Sequence, residues 1–370
     1  MERAMRVLQI IDSLNRGGAE VMLAAMAPRF RARRIICDVV VLLQTPSPLE
    51  HTLVEQNISV RYTGVRKLYS PLQVRSLAKL VRGYDIAHVH LFPAQLWAVL
   101  AAHHIKPHIP LVTTEHGTWS ARRRWWLPPV DQWMYPHYQR IACISGATAK
   151  DLIRWCPGIG EKLTIVPNGI PLETFENAEP AELGDVPNHV ARLVFVGRCE
   201  EPKDHATLLR ALTVVPDAHL ILVGDGPLRP RLEQMAETLT IRKRVTFLGL
   251  RNDVAAILKA SDIYVHSTHS DGFGIAACEA MAAGLPVVAS NVPGLAQVVE
   301  GAGVCFPPEN HVALAHCLSE LIASPKLRQE MSQASIQRAR QFSIEHTVDQ
   351  YVQLYDSVLH ASRRLDAEIR

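Results

Sequence analysis

The feature that most constrains the fold of this 370-residue chain is an alternation of short apolar runs with amphipathic stretches, which occurs twice. In the first half, the apolar runs lie at residues 6–11, 37–43, 86–89, 111–114, 141–144 and 163–166. Helical periodicity separates most of them, near residues 18–30, 71–82, 94–104 and 146–155. Continuous apolar strands that alternate with helices predict a parallel sheet with helices on both faces.

The alternation is interrupted after Asn168-Gly169, where an acidic, Pro-containing stretch at 171–190 lacks periodicity and predicts an interdomain linker. It resumes with apolar runs at 193–196, 219–223, 245–248, 263–266 and 286–289. We therefore predict an α/β fold with two facing, Rossmann-like, doubly wound parallel-sheet domains at 1–170 and 191–343. Residues 344–370 have apolar positions at helical spacing and predict a terminal helix that returns to the N-terminal domain. Ligands bind beyond the carboxyl ends of such strands, so two facing sheets would enclose a cleft.

Composition is that of a globular protein, with 48% hydrophobic and 20% charged residues. The apolar run at 7–11 is too short for a signal-peptide core or a membrane span, so we expect a cytoplasmic protein. The seven cysteines are odd in number and none has CxxC spacing. We therefore expect reduced core cysteines rather than a disulfide framework or a zinc site.

The charge is unevenly distributed along the chain. Residues 1–170 have 21 Lys and Arg against 11 Asp and Glu, whereas residues 171–370 have 18 against 25. The basic half includes a cluster of three arginines and two tryptophans: Arg122, Arg123, Arg124, Trp125 and Trp126. Arg beside Trp suits an anionic membrane interface, and we expect this cluster to dock on a membrane or an acceptor. Single-stranded nucleic acid, or a solvated charged face with Trp packed inward, remains an alternative interpretation.

The stretch from Asp271 to Val288 has the pattern of a phosphate-binding turn followed by a helix and a buried strand. Gly272 and Gly274 let the backbone approach a ligand, and the N–H groups that follow point beyond the helix start. Glu279 lies about one turn into the predicted helix, at a depth suited to ribose hydroxyls. The pattern predicts a nucleotide-diphosphate site. The alternative is a strand-to-helix corner whose glycines serve packing and whose acids are solvated.

Other polar and glycine residues follow the predicted strands at their carboxyl ends. Gly17-Gly18 opens a helix that can accept a phosphate oxygen at its N-terminus. Arg198 and Lys203 can neutralise a diphosphate leaving group, unless they form surface pairs with the neighbouring acids. The imidazole of His116 can donate a hydrogen bond to a sugar hydroxyl, although a lone His is more often structural.

In order and spacing, these motifs resemble the retaining nucleotide-sugar glycosyltransferases of family 4. The matching segments are Gly17–Glu20, Glu115–Gly117, Val166–Ile170, Gly197-Arg198 with Lys203, Gly224–Pro227 and Asp271–Glu279. The resemblance covers essentially the whole chain. It implies the GT-B architecture, with the acceptor bound by the N-terminal domain and the nucleotide sugar mostly by the C-terminal domain.

The resemblance also implies roles for individual residues. Arg198 and Lys203 would hold the diphosphate, Glu279 the ribose, Asp271 the sugar hydroxyls and His116 the far edge of the sugar. These five form the predicted catalytic set. The predicted nucleotide-sugar-binding set is Gly17, Gly18, Asn168, Gly197, Gly224, Gly226, Gly272, Phe273, Gly274 and Ile275.

The family motif has Glu where this chain has Asp271, which puts donor-sugar preference or rate in question more than the reaction class. Eight residues of helix span about 12 Å, which exceeds the separation of paired hydrolytic carboxylates. Both acids are therefore interpreted as binding groups. The resemblance implies front-face transfer with retention of the anomeric configuration. We expect no cofactor and no essential metal, because Arg and Lys can neutralise the diphosphate.

The expected partners are a nucleotide-sugar donor, a glycan or lipid-linked acceptor, and the inner face of an anionic membrane, to which the protein would bind peripherally. Surface-polysaccharide or lipopolysaccharide assembly is the expected pathway. Two alternatives remain: a noncatalytic nucleotide-sugar-binding partner of another transferase, favoured only by Asp271, and a nucleotide-sugar epimerase. We expect no nucleic acid as partner.

Overall fold

The computed structural model describes residues 3–15, 17–105, 108–117, 128–184, 186–187 and 189–369, with side chains to residue 362. The chain divides into two compact units. The first comprises Met1–Gly169 together with Ile344–Arg370, and the second comprises Ile170–Ser343. Each unit has its own parallel sheet.

The first unit is built on a seven-stranded parallel sheet with the strand order β3-β2-β1-β4-β5-β6-β7. Its strands are β1 Met5–Ile11, β2 Ile35–Val41, β3 Val60–Tyr62, β4 Ile86–His90, β5 Leu111–Glu115, β6 Arg140–Cys143 and β7 Leu163–Ile165. The order reverses between β1 and β4, which pair through Val7 and Ile86. Polar groups beyond the carboxyl ends of these central strands therefore lie at the point where such sheets bind ligands.

Before the second unit, the described residues form the helices α1 Gly18–Met26, α2 Pro48–Glu55, α3 Leu72–Leu80, α4 Ala94–Ala102, α5 Pro128–Met134 and α6 Gly146–Trp155. Two of these helices begin after a serine whose side chain caps the helix N-terminus. Ser145 accepts from the Thr148 N–H at the start of α6, and Ser47 accepts from the Leu49 N–H before Pro48 at the start of α2. The helix α2 was not predicted from the sequence, although Ser47-Pro48 is a recognisable helix start.

The second unit has a six-stranded parallel sheet with the order β10-β9-β8-β11-β12-β13. Its strands are β8 Ala191–Val196, β9 Ala218–Val223, β10 Val245–Gly249, β11 Ile263–His266, β12 Val287–Ser290 and β13 Gly303–Phe306. Its helices are α7 Leu172–Glu176, α8 His205–Thr213, α9 Arg229–Thr238, α10 Val254–Lys259, α11 Ile275–Ala282, α12 Pro293–Val299, α13 His311–Ala323 and α14 Pro325–Ala339. The prediction of two Rossmann-like parallel-sheet domains is confirmed.

The structure assigns the segment 171–190, which the sequence predicts as a linker, to the second unit. Within it, α7 packs against α11, and the N–H of Ala181 donates to the carbonyl of Ala256 at 2.9 Å. Phe175 is buried. This packing could not be predicted from the sequence, because a helix of five residues with one buried aromatic side chain is too short to show helical periodicity.

The terminal helix α15, Ile344–Ile369, belongs to the first unit. Two ion pairs join it to the turn after α1: Arg29 with Glu345 and Arg33 with Asp349, both at 2.8 Å. On its buried face, Tyr351 and Tyr355 enter the core of the first unit. The apolar spacing in the sequence therefore corresponds to a face that packs on this unit.

None of the seven cysteines is in a disulfide; five are buried, whereas Cys305 is exposed and Cys317 is partly exposed. The expectation that all seven are core residues is therefore wrong for these two. Within the part of the chain that the structure describes, no helix is both long enough and apolar enough to cross a membrane.

Candidate functional site

The candidate site in the second unit forms around the loop between β11 and α11. Gly274 ends the loop with a left-handed conformation (φ 91°), which favours glycine, and α11 begins at the next residue. One carboxylate oxygen of Asp271, Oδ1, accepts a hydrogen bond from the Phe273 N–H at 3.0 Å. This bond orients the side chain, so that Oδ2 is presented to the neighbouring loop.

That neighbouring loop follows β8 and contains Lys203. Backbone hydrogen bonds join the two loops: the Asp204 N–H donates to the Ser267 carbonyl at 3.1 Å, and the His269 N–H donates to the Pro202 carbonyl at 2.9 Å. These bonds bring Lys203 beside Asp271 although 68 residues separate them in the chain. Two residues of the predicted catalytic set are therefore brought together by main-chain pairing.

The Lys203 ammonium donates to two acceptors, Asp271 Oδ2 at 2.6 Å and His266 Nε2 at 2.8 Å. The side chains of Lys203 and Asp271 are only 20% and 16% exposed. Because His266 Nε2 accepts, its Nδ1 carries the proton and donates to the Tyr264 hydroxyl at 3.1 Å. An ammonium has three N–H donors, and the described residues accept from two of them, so one remains for an anion such as a phosphate oxygen.

Burial opposes the charge of Asp271, yet the adjacent cation of Lys203 holds the pKa of Asp271 well below its usual range. Burial, and next the charge of Lys203, lower the pKa of His266. The cluster at neutral pH is therefore an ammonium, a carboxylate and a neutral imidazole.

Glu279 lies in α11, beyond the loop, with its side chain partly buried. Burial raises the pKa of this carboxyl to about 7. Among the described residues it has no hydrogen-bond or ion-pair partner, in contrast to Asp271. A desolvated carboxylate without a partner is costly to keep. A ligand with hydroxyl donors, such as a ribose, would relieve that cost.

Arg198 is the most exposed residue of the predicted catalytic set. Its side chain is 67% exposed and pairs with Glu200 at 2.8 Å, which is the surface pair that the sequence left open as an alternative. Contact with a diphosphate would require the guanidinium to leave this carboxylate. Its role in binding stays a prediction.

The glycines at the ends of β8 and β9 serve close packing of two loops. The Gly197 N–H donates to the Val223 carbonyl at 2.9 Å. A Cβ added at Gly224 would overlap the Gly197 carbonyl, and one at Gly226 would lie 2.6 Å from the Cys199 carbonyl oxygen. This backbone contact accounts for Gly224 and Gly226 without a ligand.

The remaining predicted binding residues of the second unit differ in whether they can still meet a ligand. Phe273 is buried, its ring meets Phe342 edge-on with ring centroids 5.4 Å apart, and its N–H is bonded to Asp271. Its ring and its N–H group therefore already have partners within the protein. Gly272 and Ile275 are partly exposed at the start of α11 and can still face a ligand.

Gly294, at the start of α12, is a further site residue that was not predicted from the sequence. A Cβ at this position would overlap the Asp271 carbonyl oxygen and lie 2.5 Å from the Gly272 carbonyl oxygen. The helix therefore packs directly against the backbone that positions Asp271. Gly294 follows Pro293 at a helix start, which in sequence resembles ordinary helix initiation.

We expect Gly294→Ala to lower turnover about 10- to 100-fold, because the methyl group displaces the Asp271 loop and small misplacements of reacting groups are costly. Steady-state kinetics and the thermal midpoint check this. Gly160→Ala is the matched control, since a Cβ there meets nothing within 4 Å. Wild-type turnover in Gly294→Ala would show that the loop absorbs the methyl group.

In the first unit, His116 follows β5 and is partly exposed. Its Nε2 lies 3.0 Å from Nδ1 of His90, which ends β4. Burial lowers the pKa of His116 to about 4, so its imidazole is neutral at pH 7. Neither His90 nor its partner Gln9, 2.8 Å away, was singled out in the sequence. Polar residues within apolar strands are the signal that could have indicated both.

Gly17 precedes α1 and Gly18 begins it, as the sequence predicted. A Cβ at Gly17 would overlap the Glu20 carboxylate. The glycine thus leaves room for an acidic side chain in the first turn, a favourable position for negative charge. Asn168 is buried near the end of the first unit. The cluster from Arg122 to Trp126 lies outside the described residues.

Among the described residues, no group of three or more His, Cys, Asp or Glu side chains is placed to hold a metal ion.

Comparison with known proteins identifies both halves of the chain. The family model "Glycosyltransferase Family 4" matches residues 16–174, and "Glycosyl transferases group 1" matches residues 185–338. A D-inositol 3-phosphate glycosyltransferase of Mycolicibacterium gilvum is 32% identical, over 76% of this chain and 68% of the relative. A phosphatidyl-myo-inositol mannosyltransferase of Mycobacterium tuberculosis is 28% identical, over 92% and 93%.

Among solved structures, Anabaena HepE in complex with UDP and glucose superimposes with a TM-score of 0.83 at 22% identity, over 95% of this chain and all of HepE. A likeness at this identity shows the fold, which is the two-domain GT-B architecture. Together with the relatives that match in sequence, it shows that the chain belongs to glycosyltransferase family 4, a family of GT-B enzymes that use nucleotide-sugar donors.

Proposed function

We propose that this protein is a retaining hexosyltransferase that moves a sugar from a nucleotide-diphosphate sugar to a lipid-linked or surface-glycan acceptor. The observation that carries the proposal is the pairing of Lys203 with Asp271, beside a Glu279 that lacks a partner among the described residues. The pair supplies a cation for a leaving diphosphate and a carboxylate for sugar hydroxyls. Glu279 supplies an acceptor for a ribose.

In the proposed mechanism the free N–H of Lys203 stabilises the negative charge that develops on the leaving diphosphate. The departing oxygen takes the proton of the acceptor hydroxyl on the same face of the sugar, so the anomeric configuration is retained. Asp271 holds sugar hydroxyls, and its tight pairing keeps it ionised. Arg198 would add a second cation once it leaves Glu200.

The lipid-linked acceptor is supported by the M. tuberculosis relative, whose name specifies a phosphatidyl-myo-inositol substrate. A uridine nucleotide is the first donor base to test, because HepE was solved with UDP and glucose. These are properties of other proteins. For this chain, both belong to the proposal.

Product analysis tests the proposal. A thermal-shift screen of nucleotide sugars first selects the donor, since a ligand at 100 times its dissociation constant stabilises by about 2.7 kcal/mol. NMR of the product then reports the anomeric configuration, with and without EDTA. We expect retention and no metal requirement, because Lys203 can supply the positive charge at the diphosphate. Inversion would contradict the retaining mechanism, and an epimerised nucleotide sugar would contradict sugar transfer. EDTA inactivation that Mg²⁺ or Mn²⁺ reverses would contradict the absence of a metal requirement.

Peripheral binding to an anionic membrane is supported by the surface around α3. Residues 56–84 contain no Asp or Glu. Five cations of this stretch are exposed: Arg66, Lys67, Arg75, Lys79 and Arg82. Tyr69 and Leu72 lie among them and are 68% and 59% exposed. Each basic residue near such a surface contributes about 1 kcal/mol, so binding is expected to be weakened by salt.

We expect the triple variant Arg75→Ser, Lys79→Ser, Arg82→Ser to reduce co-sedimentation with anionic liposomes and to slow transfer to a lipid-linked acceptor. We expect the same two effects when Arg122, Arg123 and Arg124 are all replaced by Ser. The matched control replaces three other exposed cations, Lys150, Arg154 and Arg210, by Ser. Equal liposome binding by all of these proteins, or none by wild type at low salt, would contradict membrane docking.

A further inference from the structure

A chain of buried polar groups connects the terminal helix to His116 in the first unit. Tyr355 of α15 contacts Gln9 of β1, Gln9 contacts His90 of β4, and His90 contacts His116. Tyr355, Gln9 and His90 are buried, whereas His116 is partly exposed. Buried polar groups are almost always hydrogen-bonded. The direction of each bond in this chain is therefore constrained by its neighbours.

The directions follow from the amide of Gln9. Its nitrogen donates to the Tyr355 hydroxyl at 3.2 Å, and its oxygen accepts from His90 Nε2 at 2.8 Å. His90 is therefore protonated on Nε2, and a neutral imidazole then has a bare Nδ1. That bare Nδ1 lies 3.0 Å from Nε2 of His116 and accepts from it. His116 in turn carries its proton on Nε2.

Further contacts hold the amide of Gln9 in this orientation. Because the Tyr355 oxygen accepts from Gln9, the hydroxyl proton is left for its other partner, His88 Nδ1, which lies 2.7 Å away. Because Nδ1 of His88 accepts, its Nε2 carries the ring proton and donates to the Thr114 hydroxyl at 2.7 Å. Burial raises the pKa of Cys37 to about 12, and a hydrogen bond from Gln9 to its sulfur partly offsets that rise.

The imidazoles of His88, His90 and His116 each carry a single ring proton at neutral pH. Burial lowers the pKa of His88 to about 3 and that of His116 to about 4. Burial and the neighbouring His88 lower the pKa of His90 well below its ordinary value. A neutral histidine has one donor nitrogen and one acceptor nitrogen, so its tautomer decides what it offers a ligand.

We propose that Tyr355, Gln9 and His90 are positioning residues that hold His116 as the Nε2–H tautomer, so that Nδ1 accepts a hydrogen bond from a hydroxyl of the donor sugar. Among the described residues, Nδ1 of His116 has no hydrogen-bond partner, and it belongs to the exposed end of the chain. This reverses the sequence-based expectation that His116 donates to the sugar. The sugar contact rests on the proposed function, whereas the tautomer does not.

Nitrogen-15 NMR of the histidine rings in the full-length, ligand-free protein tests the tautomer directly. Loss of a signal in His116→Gln assigns the resonances of this ring. We expect a protonated Nε2 and an unprotonated Nδ1 at pH 7. A protonated Nδ1, or two tautomers in comparable amounts, would overturn the proposal.

Two tyrosines of α15 provide a matched pair of variants. Tyr355→Phe removes the partner of Gln9, whereas Tyr351→Phe removes a buried hydroxyl that bonds to Thr114, 2.9 Å away. We expect both variants to lose similar stability. Only Tyr355→Phe should produce a second His116 tautomer and raise the KM for the nucleotide sugar about 3- to 10-fold, the worth of one hydrogen bond. The affinity for the free nucleoside diphosphate should be unchanged, because it has no sugar.

A single His116 tautomer and an unchanged KM in Tyr355→Phe would overturn the role of Tyr355. Equal changes in both variants would reduce it to a structural role. If Tyr355→Phe fails to fold, Gln9→Met removes the same amide bonds without altering α15 and has the same expected outcome. Wild type that shows the predicted tautomer but transfers no sugar would refute the proposed function and leave the tautomer intact.

Discussion

Glu279→Gln is expected to weaken binding of a nucleoside diphosphate about 10- to 100-fold and, at the same time, to stabilise the ligand-free protein at pH 8. Hydrogen bonds from ribose hydroxyls to a charged carboxylate contribute about 1.5–3 kcal/mol, which Gln does not match. Without ligand, the carboxylate is partly buried and has no partner among the described residues, so its charge is a cost to folding. Calorimetric titration with the nucleotide and denaturant unfolding measure the two effects.

The effect on stability depends on pH. Burial raises the pKa of Glu279 from 4.5 to about 7 in the folded protein. The folded state therefore binds the proton more tightly than the unfolded chain. The resulting stabilisation is fully present below about pH 4.5 and is lost as the pH rises through about 7. We expect the free energy of unfolding of Glu279→Gln to exceed that of wild type by about 2–3 kcal/mol at pH 8, and by less at pH 5.

Nucleotide affinity of the wild-type protein should also fall as the pH drops below about 7, because protonation removes the charged acceptor for the ribose. Glu237→Gln, an exposed glutamate of α9 in the same unit, is the matched control. It should change neither the affinity nor the pH dependence of stability. Glu279→Gln with wild-type affinity would exclude the ribose role.

Lys203→Ala should lower turnover by roughly 30- to 1000-fold, because it removes a cation worth about 2–4 kcal/mol at the developing charge of the leaving diphosphate. We also expect a loss of stability, since the mostly buried charge of Asp271 would lose the cation that is paired with it. Single-turnover kinetics with saturating donor and denaturant unfolding measure these effects.

The double variant Lys203→Ala, Asp271→Asn separates stability from catalysis. Removing both charges should recover part of the stability that Lys203→Ala loses, whereas turnover stays low. Arg198→Ala is the comparison, because its 67% exposed side chain makes only a surface pair with Glu200. It should lower turnover without a measurable change in stability. Additive stability changes in the double variant would show that the Lys203–Asp271 pair contributes little.

Most strands could be predicted from the sequence because they are central in their sheets and buried on both faces. The strands that were missed, β3 and β13, are three and four residues long and lie at sheet edges. A short edge strand offers few positions for an apolar run, although β7, an edge strand of three residues, was predicted because its apolar run continues to Val166. Of the helices, α7 is too short to show periodicity, and it left 171–190 with the pattern of a linker.

The candidate site divides in a similar way. Asp271, Gly274 and Glu279 lie within nine residues, so one local pattern of turn and helix indicated them together. Lys203 could be proposed only from its place after a strand. Its two hydrogen bonds depend on pairing between loops that follow different strands. Gly294 is recognisable only when the Asp271 backbone is seen to pack against it.

The sequence by itself determined the doubled α/β fold and the family, because hydrophobic periodicity and short glycine motifs are local properties of the chain. Only the tertiary structure decided which charges are satisfied. It joined Lys203 to Asp271 and His266, and left Glu279 without a partner among the described residues. It also connected Tyr355 to His116 through Gln9 and His90. Hydrogen-bond direction and desolvation depend on neighbours far apart in the chain, so no local pattern encodes them.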